Sequence, residues 1–170
     1  DGATEPNLLF YNQSYTARYS SRVWGAEVNY LWDPGHFSIF EYRPLAGVRY
    51  VNLYEKIQQR GSFVPDFGDV VNTSIDTWTY NNIAVAQIGF RLEAVTKYLT
   101  FGVEPKFGMG PNIAMAKVRT DQLRSASDGE YITRENTWRF TTLMDLNGYV
   151  RWHCTDNLTF SLGYTMTYLG

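Results

Sequence analysis

Hydrophobic and polar residues alternate with a period of two along most of the chain. From Leu99 to Gly110, Leu99, Phe101, Val103, Phe107 and Met109 stand against Thr100, Gly102, Glu104, Lys106 and Gly108. Successive side chains of an extended backbone point to opposite faces, so this spacing predicts a strand with one apolar and one polar face. Val23 to Trp32 repeats the pattern, with Trp24, Ala26, Val28, Tyr30 and Trp32 opposite Glu27 and Asn29. Ile83 to Ala94 sets Ala84, Ala86, Ile88, Phe90 and Leu92 against Gln87, Gly89, Arg91 and Glu93. Near the C-terminal end, Phe140, Met144, Leu146, Val150 and Trp152 oppose Arg139, Asp145, Asn147, Arg151 and His153. Leu158, Phe160, Leu162, Tyr164, Met166 and Tyr168 then oppose a row of Thr, Ser and Gly. A less regular strand, Phe37 to Tyr54, places Ala46, Val48 and Tyr50 opposite Gly47 and Arg49. The apolar phase of the five regular strands carries no Asp, Glu, Lys or Arg. Glu27, Arg91, Glu93, Glu104, Lys106, Arg139, Asp145 and Arg151 all lie on the other phase.

The connections alternate in length. Asp33-Pro34-Gly35-His36, Val95-Thr96-Lys97 and Thr155-Asp156-Asn157 read as tight turns, while 55–77 and 119–133 read as long polar loops. Short turns at one end and long loops at the other are the arrangement of an outer-membrane barrel. Aromatic residues gather near the strand ends, as at Tyr30, Trp32, Trp78, Tyr80, Trp138 and Trp152, where girdles at the two membrane interfaces would place them. A soluble sandwich or lipocalin-like barrel also alternates, with its apolar phase inward. The polar phase here is rich in small residues (Gly89, Gly102, Gly108, Gly163), which suit a crowded lumen better than a solvated face.

Composition narrows the class further. With 15 Lys and Arg against 17 Asp and Glu, a formal charge of -2 gives no basic stripe for nucleic acid. One cysteine excludes an intrachain disulfide framework, and with two separated histidines it makes no zinc site. No apolar run is long enough for a transmembrane helix, but a transmembrane strand needs only about 9 to 11 residues. A mean hydropathy of -0.32 beside 16% aromatic residues follows from averaging a ring-rich lipid face with a charged lumen and polar loops.

Several segments also resemble a known family. Ser21 to Asn29 and Pro44 to Glu55 are similar to two successive signatures of the planctomycete outer-membrane β-barrel porin family, the group called β-barrel porin seven. Asn82 to Glu93 resembles its next strand, and Lys106-Phe107-Gly108-Met109-Gly110-Pro111-Asn112 its Gly-rich lysine segment. Gly148-Tyr149-Val150, Asn157-Leu158 and Gly163 to Leu169 resemble its closing hairpin. The likeness covers about residues 20 to 170. It implies a bacterial outer-membrane barrel with porin-like passage and no enzyme activity. Pro105 departs from the pattern: lacking an N–H, it is expected at a bulge or a local edge.

The expected fold is therefore all-β, an antiparallel up-and-down transmembrane β-barrel. Residues 1–19 form a connecting segment or partial strand and 20–170 the barrel portion. Six strands are visible, and an even number with both ends in the periplasm requires at least eight in the complete barrel, unless Leu8 to Tyr19 supplies one. Open edges in lipid are costly, so missing strands or other chains, including a homo-oligomer, are expected to close it. Glu27, Arg49, Arg91, Glu93, Glu104, Lys106, Arg139, Asp145 and Arg151 are the expected lumen-lining residues. Trp24, Val28, Ile88, Phe90, Phe101, Phe107, Leu146, Phe160 and Leu162 are the expected contacts with outer-membrane lipid. In a narrow barrel the nearly balanced charges would pair into a plug; in a wide one they would line a weakly selective conduit.

Passive passage of small solutes or ions is the leading functional expectation. A non-conducting barrel anchoring a surface layer or appendage comes second, and an outer-membrane hydrolase third. His153 lies beside a short turn, away from the long loops, and His36 lies in a turn, so no catalyst is assigned. No cofactor and no metal are assigned either. Acidic residues around Asp66 and Asp69 and in the Asp121 to Glu135 segment are read as solvated rather than calcium-binding. Cys154 is read as a passive thiol.

Overall fold

The computed structural model describes residues 12–64, 69–123, 127, 129–155 and 157–170. They are almost entirely β-structure. Six long strands, β1 (Ser14–Leu31), β3 (Phe40–Phe63), β4 (Val71–Val95), β5 (Leu99–Asp121), β6 (Tyr131–Thr155) and β7 (Leu158–Leu169), are joined by a three-residue strand, β2 (Gly35–Phe37). They form one antiparallel sheet in the order β1-β3-β4-β5-β6-β7, with β2 paired to β3. Each long strand lies next to its neighbour in sequence, as an up-and-down meander requires. Among the described residues the sheet is open, with β1 and β7 at its edges.

All six expected strands are present, and most are longer than the hydrophobic alternation. β3, β4, β5 and β6 have 24, 25, 23 and 25 residues. The connections at one end shrink accordingly to 64–70 and 122–130, instead of 55–77 and 119–133. The added residues, such as Lys56, Gln58, Gln59 and Arg60, are polar on both faces, so hydropathy has no period there while the main-chain ladder continues. Polar cross-strand pairs hold these extensions: Ser14 with Ser62 at 2.9 Å, Tyr19 donating to Glu55 at 2.5 Å, and Gln58 donating to Asp76 at 3.0 Å. Residues 14–19 form the first part of β1, which continues without a break to Leu31; residues 1–11 lie outside the described residues.

At the opposite end the turns stay short, with one addition. The expected turn at 33–36 contains the beginning of β2, which folds back on β3 in the register Gly35↔Tyr42, His36↔Glu41, Phe37↔Phe40. The two intervening residues are Ser38 and Ile39, and Ser38 has a φ of 55°. The carbonyl of Ile39 accepts from the N–H of Val95 at 2.8 Å, so this small hairpin also terminates β4. Between β4 and β5, Thr96 closes the turn itself: its N–H donates to the Leu99 carbonyl at 2.8 Å and its hydroxyl accepts from the Leu99 N–H at 3.1 Å.

Pro105 lies inside β5, between β4 and β6, and so not on a sheet edge. Its carbonyl approaches Gly89 so closely that a Cβ there would collide with it, which explains the glycine in the neighbouring strand.

Contacts divide the chain into two units. One contains 24–52, 82–113 and 138–170; the other contains the described parts of 1–23, 53–81 and 114–137.

Candidate functional site

In the unit formed by 24–52, 82–113 and 138–170, burial is inverted relative to a water-soluble protein. Glu104, Asp145, Glu93 and Lys106 are 5%, 4%, 7% and 7% exposed, whereas Leu162, Val28 and Ile88 are 80%, 72% and 65% exposed. The polar phase of β4, β5 and β6 is the covered face. Isolated charges on such a face would cost several kcal/mol each, so they must find partners.

They do so across the curl of the sheet. Lys106 on β5 reaches Glu27 on β1 at 2.7 Å and Glu104 at 3.4 Å. Glu104 pairs with Arg91 on β4 at 2.7 Å. Arg49 on β3 lies 3.7 Å from Glu27 and pairs with Asp145 on β6. The result is a continuous chain Asp145–Arg49–Glu27–Lys106–Glu104–Arg91. Gln87 donates to Asn29 at 2.6 Å and to Glu27 at 3.4 Å, and Thr167 donates to Asp145 at 2.5 Å. A second group joins Arg151 to Glu93 at 2.8 Å, with the Tyr149 hydroxyl donating to the same carboxylate.

Several of these links skip strands. Three strand spacings separate β1 from β5 and β3 from β6, about 14 Å along a flat sheet at the usual spacing. Lys106 meets Glu27, and Arg49 meets Asp145, because the sheet curls and brings the covered side chains towards one another.

Eight of the nine charged residues expected on the polar face are thus brought together, four acidic and four basic. Arg139 is the exception: it is exposed and has no carboxylate partner among the described residues. On the other face, eight of the nine expected apolar contacts are exposed, and Phe107 is half-buried. This face also carries an apolar depression of about 820 Å³, with Ile88, Phe90, Phe107, Leu146 and Met166 among its lining residues.

Two parts of the covered face escape a reading by charge alone. Tyr149 lies against Gly102, where a Cβ would enter the ring's van der Waals envelope. Its place on the phase of Asn147 and Arg151 was visible in the sequence, but the pairing with Gly102 depends on the β5–β6 register. The covered face also holds a small apolar cluster of Val51, Ile83, Val85 and Leu143, with Leu169 packed against it. The division into one greasy and one polar face therefore needs correction: these residues share the phase of the charges.

His153 contacts the Thr100 hydroxyl at 3.0 Å and the Thr159 hydroxyl at 3.1 Å, which occupies both ring nitrogens. His36 is exposed, 3.9 Å from Glu41. Cys154 is a free, partly buried thiol. Among the described residues no group of three or more His, Cys, Asp or Glu is placed to hold a metal ion. Asp66 lies outside the described residues.

The family described as "Putative beta barrel porin-7" (BBP7) matches residues 9–170, nearly the whole chain and all six long strands. The chain belongs to this family. No curated protein matches it. Membership in a β-barrel porin family agrees with the inverted burial, since strands with an exposed apolar face and a covered, ion-paired face are what a barrel wall in lipid requires.

Proposed function

We propose that this BBP7 chain forms the wall of an outer-membrane β-barrel that lets small polar solutes or ions cross passively. In this reading Glu27, Arg49, Arg91, Glu93, Glu104, Lys106, Arg139, Asp145 and Arg151 face the lumen. Trp24, Val28, Ile88, Phe90, Phe101, Phe107, Leu146, Phe160 and Leu162 meet lipid. The observation that carries it is the inversion of burial within a central strand, with Glu104 at 5% exposure and Phe101 at 50% on β5. Water gives no reason to leave a row of large apolar side chains exposed while covering carboxylates, whereas hydrocarbon does. Further strands or other chains would close the open sheet edges, because unpaired backbone groups in a bilayer cost several kcal/mol each.

Planar-bilayer recording of the full-length protein tests the reading. Stepwise conductance is expected, with weak selectivity because the paired charges of the covered face sum to zero.

One observation favours a second reading, a non-conducting barrel used as a membrane anchor. The ion pairs that skip strands fill space beside the wall, as side chains do in narrow barrels. A folded, heat-modifiable protein that stays electrically silent would select it. Turnover of lipid or peptide by the same preparation would contradict both.

A further inference from the structure

Within the unit containing 53–81 and 114–137, the outward phase of the strands changes character over a few residues. Tyr54 on β3 and Tyr80 on β4 stack with centroids 4.8 Å apart. One step further along the same phase, Lys56 and Lys117, from the strands on either side of β4, stand over the Trp78 ring at 5.4 and 5.0 Å. Beyond them, Arg18 and Arg60 line a depression of about 260 Å³ with Thr16 and Gln58. The order is aromatic, then cation over aromatic, then a polar notch with two guanidinium groups.

Three of the carboxylates near this patch are already engaged. Asp76, on the same phase, is 8% exposed, accepts from Gln58 at 3.0 Å and lies 3.9 Å from Arg60. Glu130 pairs with Arg119 at 2.8 Å. Glu55 lies on the opposite phase and accepts from Tyr19. Asp121 follows Arg119 by two positions. Among the described residues, neither Lys56 nor Lys117 has a carboxylate within ion-pair distance. The opposite ends of the outward phases of β4 and β6, by contrast, finish in Leu92, Ala94, Trp152 and Cys154, without a cation.

We propose that this patch binds the phosphate groups of an anionic lipid at the long-strand end of the protein, with Lys56, Lys117, Arg18 and Arg60 as the phosphate ligands. Two ammonium groups held over one indole form a preorganised cationic pair, and rings beneath them fit the level where headgroups give way to acyl chains. The guanidinium groups of the notch offer the forked donors that phosphate oxygens accept. The inference rests on the reading that the outward phase meets lipid, and it adds which lipid chemistry that face selects.

The test uses full-length protein inserted into phosphatidylcholine vesicles with and without bisphosphorylated lipid A. Binding is read by co-purification of lipid A and by the shift in heat-modifiability midpoint. Wild-type protein should retain lipid A and gain thermal stability. The double variant Lys56→Gln, Lys117→Gln should insert normally and bind lipid A at least tenfold more weakly. Lys97→Gln, which removes a lysine 5.1 Å from the Tyr98 ring at the other end, should bind as wild type. Dephosphorylated lipid A should give no stabilisation. Equal retention by wild type and the double variant would overturn the proposal, as would full competition by millimolar inorganic phosphate, which would mark a free-anion site. Normal insertion without any preference for lipid A would overturn this inference alone. Failure to insert into either vesicle would overturn the membrane reading and the inference with it.

Discussion

Tyr149 shows how much a single residue can depend on a neighbour chosen for its lack of a side chain. Its ring occupies the space over Gly102, and its hydroxyl donates to Glu93, which Arg151 also holds. A methyl group at position 102 must push the ring aside. Gly102→Ala should therefore destabilise the protein by about 1–3 kcal/mol, the usual cost of overpacking. The cost should shrink in a Tyr149→Ala background, and urea unfolding of the four variants would measure that coupling. The outward face gives a second prediction. Leu162→Arg should cost about 2–4 kcal/mol if it lies near the bilayer midplane, and Ser161→Arg, on the opposite phase of β7, markedly less. Equal losses in vesicle-based unfolding would contradict the assignment of faces. The phase of each residue was legible in the sequence because the strand period is two. The companionship of Tyr149 with Gly102 was not, because it requires the register between two strands.

Among the elements, the strands extend beyond the alternation that announces them. A bilayer needs about 9 to 11 residues of tilted strand, and β4 and β6 have 25 each. Hydropathy marks a strand only where its two faces meet different surroundings. Residues such as Gln58, Gln59 and Arg60 are polar on both sides, so they read as loop while their backbone continues the ladder. The β2–β3 hairpin escaped for a related reason: Gly35 to Phe37 is three residues long, too short to show a period. Its two-residue turn has positive φ at Ser38 and not at Ile39, the pattern of a type II′ turn, whose first central position favours glycine. Ser38→Gly should raise stability by about 1 kcal/mol by removing the steric penalty of a side chain at that φ. A higher urea midpoint at unchanged slope would confirm it.

At the scale of the molecule, six charges of the covered face are linked into one ion-paired chain. Lys106 sits between Glu27 and Glu104, and Arg49 between Glu27 and Asp145. Removing either cation leaves buried carboxylates without a full set of partners, which is more costly than losing a surface ion pair. Lys106→Gln combined with Arg49→Gln should lower the unfolding midpoint. In a conducting barrel it should also move the reversal potential under a KCl gradient towards cation selectivity, from near neutrality in the wild type. An unchanged reversal potential in a conducting double variant would show that these residues do not face the conduction path.

The sequence by itself determined the all-β class, the six long strands, the short-turn end and which residues share a phase, because side-chain alternation is a local property of an extended backbone. The tertiary structure decided which phase is covered and which partners meet across the curl. A periodicity of two is the same for a soluble barrel and for its inside-out counterpart. The assembled sheet adds what periodicity leaves open: it covers Glu104 while leaving Phe101 of the same strand exposed, and it brings Lys106 to Glu27 over three strand spacings.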